Sequence, residues 1–91
     1  MEIAKAQIVR SLAGHDKGEF FCVLDTDGPF LVLADGKGRR VAAPKRKKRI
    51  HAAHAGQFGH PVLEKIEQGL PVSDSEIRRA LAAFRAELRR V

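Results

Sequence analysis

The stretch EFFCVLDTDGPFLVLAD, residues 19–35, decides what fold this chain can make. Two apolar runs flank TDGP, residues 26–29. Asp and Gly favour a turn there, and proline cannot donate to an inner ladder. The runs therefore predict strands over 19–25 and 30–35. Neither alternates cleanly. In the first, Phe20, Cys22 and Leu24 share one face, and Phe21, Val23 and Asp25 share the other. In the second, Phe30, Val32 and Ala34 oppose Leu31, Leu33 and Asp35. Apolar residues on both faces imply that both are covered. One face points into a barrel, and the other needs a lid.

On the N-terminal side, AQIVRSL (6–12) predicts a preceding strand and residues 13–18 a turn. DGKG (35–38) carries a strong two-residue hairpin signal, leading into a short fourth strand over RRVAAP (39–44). Short strands with turns every 8–12 residues point to a small antiparallel sandwich or barrel. The lid is expected from SDSEIRRALAAFRAELRRV (73–91). Ser73 and Glu76 make a capping box, and Ile77, Leu81, Phe84, Leu88 and Val91 recur on one helical face. That face could instead dock a partner protein, because its spacing also suits a helix–helix seam. A shorter helix is expected over VLEKIEQG (62–69), closed by Gly69. The expected division is mainly β with C-terminal helices: a barrel over 1–44, a basic arm over 45–60 and a helical segment over 61–91. No internal repeat is visible.

The charge is unevenly placed. Of 17 Lys/Arg and 11 Asp/Glu, six of each precede Pro44, so the whole net charge of +6 lies beyond it. Such asymmetry points to a polyanionic partner. No apolar run approaches the roughly 20 residues of a membrane span. The first ten residues, MEIAKAQIVR, lack the order of a signal peptide. A single cysteine, Cys22, forms no internal disulfide framework. The expectation is a soluble cytoplasmic protein with no membrane partner.

The sharpest motif is the run Lys45, Arg46, Lys47, Lys48 and Arg49. Against a phosphate backbone, adjacent cations release counterions and drive binding without reading sequence. The plainer reading is a solvated charge run or a targeting peptide. Arg39 and Arg40 lie upstream of it, and His51 and His54 downstream. His51 and His54 stand three apart, but a structural zinc site wants four ligands, and the one cysteine falls in an apolar strand. No metal or cofactor is expected. His60 reads as an exposed bystander. No catalytic residue is expected either: His15, Asp16 and Lys17 are adjacent in a turn, where side chains diverge, and no general base has a partner in reach. Cys22 reads as a core hydrophobe. Gly14 and Gly18 do not make a phosphate-binding loop, because a strand follows them rather than a helix. They read as turn residues, with Asp16 bracing the turn by accepting backbone hydrogen bonds.

The stretch AQIVRSLAGHDKGEFFCVL (6–24) resembles a KOW motif: strand, loop, strand, with Gly18 following the basic Lys17. Together AGHDKG (13–18), VLADGKGRRVAAPKRKKRIHAAH (32–54) and SDSEIRRAL (73–81) are similar to small bacterial KOW-domain RNA-binding proteins. These in turn resemble KOW-bearing large-subunit ribosomal proteins of archaea and eukaryotes. The match is weakest over residues 55–70. The resemblance implies an SH3-like barrel and RNA binding, associated with the ribosome. It maps the motif loop onto Gly14, Asp16, Lys17 and Gly18, and the basic arm onto Pro44, Lys45, Lys47, Lys48 and His51. The family commonly has arginine where this chain has His15, and a histidine carries less charge at neutral pH. The expected contacts are His15, Lys17, Arg39, Arg40, Lys45, Arg46, Lys47, Lys48, Arg49 and His51. They would read phosphates and shape in large-subunit ribosomal RNA more than bases. The alternative is a KOW protein-interaction module in transcription or translation, without direct RNA contact.

Overall fold

The two strands expected around Gly28 form a hairpin tighter than TDGP suggests. The computed structural model describes residues 2–90. In it, β2 (Phe20–Asp27) runs through Asp27, which pairs with Phe30 at the start of β3 (Phe30–Ala34). Only Gly28 and Pro29 remain in the turn. Gly28 has φ +57 at the first central position, as a primed hairpin turn requires. The register shifts between Val23 and Asp25, so Leu24 is the extra residue of a β-bulge that bends the strand.

Five antiparallel strands follow the order β4-β3-β2-β1-β5, with β1 at Ile8–Ser11, β4 at Lys45–Lys48 and β5 at Ala52–His54. Two expectations are corrected here. The fourth strand is not 39–44 but the basic run itself. Residues 45–54, expected as an extended arm, supply both edge strands of the sheet. The DGKG signal fails because its loop is held by other contacts. The Asp35 carboxylate accepts the Lys37 and Arg39 amides, each at 2.9 Å, and the Val41 amide donates to the Asp74 carboxylate 33 residues away at 2.8 Å. Gly36 and Val41 thus dock this loop on the C-terminal helix, and residues 35–44 form no ladder.

β4 and β5 are the two sheet edges, yet only a 3₁₀ turn, Arg49–His51, separates them. Across a flat five-stranded sheet the edges would stand about 19 Å apart, at about 4.8 Å per strand. Three 3₁₀ residues span about 6 Å. The sheet therefore curls until its edges approach, although no ladder joins β4 to β5 among the described residues. The curl explains why Val9, Phe21, Val23, Leu31, Leu33 and Ala52, from four strands, form one buried cluster with Ile3.

The opposite face is covered as the double-sided pattern predicts. Ile8 and Cys22 pack with residues of α1 (Pro61–Glu67) and α2 (Asp74–Leu88) in a second core. The C-terminal helix folds onto its own sheet. Phe84 meets Phe20 and Phe58 edge-on, each at 5.3 Å between ring centres. The Ser73–Glu76 capping box is present, and Glu76 also pairs with Lys65 of α1 at 2.6 Å. The Lys65 bond, with the box contacts, holds the Glu76 carboxyl down at about 2. Leu88 is 52% exposed, so the last helical turn overhangs the core; Val91 lies outside the described residues. α1 ends at Gly69 in a Schellman motif, the Gly69 amide donating to Ile66 and the Leu70 amide to Lys65. His60 is no bystander: it is half-buried and caps α1, its Nδ1 accepting the Val62 amide at 3.2 Å. No helix among the described residues is long and apolar enough to cross a membrane.

Burial pushes the Cys22 thiol up to about 12. A thiol is nucleophilic only as thiolate. A thiol reagent is therefore expected to label Cys22 at neutral pH only after denaturation. Rapid labelling of the folded protein would contradict this packing.

Candidate nucleic-acid interface

A strand turns successive side chains to opposite faces, and this splits the basic run in two. Directly paired residues share a face. Lys45 opposes Leu33 and Lys47 opposes Leu31, both in the inner core. Arg46 and Lys48 oppose Val32 and Phe30, on the outer face.

The two inward lysines meet one carboxylate. Lys45 Nζ lies 2.5 Å from Asp16 Oδ2, and Lys47 Nζ lies 3.2 Å from Asp16 Oδ1 and donates to the Ala13 carbonyl at 2.8 Å. The Ser11 hydroxyl, itself buried, donates to Asp16 Oδ1 at 2.6 Å. Lys47 is only 8% exposed. Partial burial works against the charged carboxylate, but the bonds from Lys45, Ser11 and Lys47 outweigh it and hold Asp16 well below the usual carboxylate range. Lys45 and Lys47, expected as contacts, are thus engaged within the fold. Asp16 braces the turn, but through the side chains of Ser11, Lys45 and Lys47 and, among the described residues, not through backbone amides. Ser11 carried no signal beyond its place at a strand end.

Gly14 and Gly18 carry the positive φ values, +88 and +91, that reverse the chain between β1 and β2. The Gly18 amide closes the loop on the Ser11 carbonyl at 2.8 Å. His15 and Lys17 are exposed on this loop, and a shallow cleft brings His15 and Lys45 beside Arg39 of the 35–44 loop. Asp16, Glu19 and Asp35 line the same cleft, so its charge is mixed.

The remaining expected residues divide further. Arg49 is a structural clamp: its Nε donates to the Gly28 carbonyl at 2.7 Å and its Nη1 to the Ile3 carbonyl at 2.6 Å. Arg46 pairs with Asp27 at 3.0 Å and lies over the Phe30 ring. His51 is exposed, its carbonyl accepting the Leu12 amide. Lys17, Arg39, Arg40 and Lys48 are exposed and have no acidic partner among the described residues. No group of side chains there could hold a metal ion. No known family model matches the chain, and no curated protein matches it.

Proposed function

We propose that the protein is a non-catalytic, KOW-type RNA-binding module that binds the phosphate backbone of structured RNA, with large-subunit ribosomal RNA in the cytoplasm as its target. The observation carrying this reading is the exposure of Lys17, Arg39, Arg40 and Lys48 on two loops and one sheet edge, without an acidic partner among the described residues. Strand order and the single 3₁₀ turn joining the two edges support an SH3-like barrel. Docking by the C-terminal helix is less favoured, because Ile77, Leu81 and Phe84 are buried on the chain's own sheet.

Four phosphate contacts give a log-affinity against log-salt slope of roughly −3 to −4. Replacing Lys17, Arg39, Arg40 and Lys48 together by glutamine is expected to weaken binding at least about tenfold near physiological salt and to flatten that slope toward zero. Structured RNA is expected to outcompete duplex DNA at matched salt. A flat slope for the parent protein, or unchanged affinity in the quadruple variant, would sink the reading. A cellular partner retained through nuclease treatment and high salt would point instead to a protein-interaction module.

A further inference from the structure

Of the five phenylalanines, four belong to the two cores; Phe30 alone lies outside both. It is half-buried on the outer face near the β4 edge. The Arg46 guanidinium carbon sits over its ring, 4.7 Å from the centroid. The Asp27 carboxylate holds Arg46 Nη1 at 3.0 Å. Register puts these groups in one row: Asp27 opposes Phe30, and Phe30 opposes Lys48, which shares Arg46's face of β4. Arg46 is nonetheless 56% exposed. An exposed ion pair contributes little stability. What the ring and the carboxylate do supply is orientation: they restrict a long side chain that would otherwise sample many rotamers.

We infer that Arg46, laid over Phe30 and tethered by Asp27, is a stacking platform for an unpaired base of the bound RNA, with Lys48 beside it to take the flanking phosphate. Unpaired bases stack on guanidinium planes as well as on aromatic rings, and a guanidinium between a ring and a base gains from both. A lysine cannot replace it, because an ammonium is a point charge without a planar face. The inference rests on the RNA-binding reading and adds a preference for unpaired nucleotides, which phosphate contacts alone do not create.

The test uses Arg46→Lys, which keeps the charge, against two probes: a short unstructured oligoribonucleotide and a fully paired RNA duplex of the same length. The ratio of single-strand to duplex affinity is expected to fall about fivefold, within the range for loss of one stacked base. The salt slope is expected to stay the same, because the number of cations does. Phe30→Leu, which removes the support and leaves Arg46 in place, is expected to lower the ratio by a smaller factor. Thermal melting of both variants confirms that they are folded. An unchanged ratio in Arg46→Lys, with RNA still bound, overturns the platform and leaves the phosphate reading intact. Failure of the parent protein to bind either RNA overturns both.

Discussion

Asp16→Ala is expected to melt roughly 10–20 °C below the parent protein. The substitution leaves Lys47, 8% exposed on the inner face of an edge strand, without its counter-charge, and frees the Ser11 hydroxyl and Lys45 as well. Removing one partner of a buried pair costs about 3–5 kcal/mol; with Lys45 and Asp16 in partial contact with solvent, about 2–3 kcal/mol is the fair expectation. In a domain this small each kcal/mol moves the midpoint by about 4–8 °C. The penalty comes from the stranded cation, so adding Lys47→Met should recover much of it. The same cluster sets an acid limit. Asp16 is held below its ordinary value in the folded protein. Its contribution is therefore full above about pH 4, where the unfolded chain also ionises, and is lost as pH falls below that. The gap between the melting curves of the parent and Asp16→Ala should stay constant from pH 7 to about 4 and narrow progressively from there down to pH 2. Equal midpoints at neutral pH would show that the cluster does not brace the turn.

Gly36→Ala is expected to cost about 2–5 kcal/mol, although the residue lies in a loop. Gly36 has φ +77, a left-handed conformation that costs other residues about 1–2 kcal/mol. A Cβ there would also overlap the Asp74 backbone carbonyl and press on Arg78 Cγ. Neither can yield cheaply. Asp74 begins α2 and its carboxylate receives the Val41 amide, while Arg78 Nη1 donates to the Gly36 carbonyl at 2.5 Å. The helix must shift away from the loop, at an overpacking cost of about 1–3 kcal/mol. Gly38, two residues on, has open space around it. Gly38→Ala should stay within about 0.5 kcal/mol. Chemical denaturation of the two variants side by side distinguishes close packing from generic loop sensitivity; equal effects would refute it.

Some of this organisation could be read directly from the chain. Phe20 and Cys22 on one face of β2, and Phe21 and Val23 on the other, belong to the two separate cores that a doubly apolar strand demands. The capping box at Ser73 and the face Ile77, Leu81, Phe84 are equally local, because a helix places residues three and four apart together whatever surrounds it. The DGKG signal was local too, and it misled. A loop can satisfy its amides on an aspartate within it and on another 33 residues away, and no short-range rule sees the second.

The basic run shows where sequence stops. The sequence alone establishes the excess of cations beyond Pro44, and with it the expectation of a polyanionic partner. It cannot say which cations are available. That depends on two tertiary facts: residues 45–48 pair as an edge strand, and Asp16 meets the inward-facing lysines of that strand. Period-two alternation then sends Lys45 and Lys47 inward to share the Asp16 carboxylate and leaves Arg46 and Lys48 outside. In an extended arm all four would have been equivalent. Pairing with β3 makes them different, because a strand has two faces and only one of them meets the core.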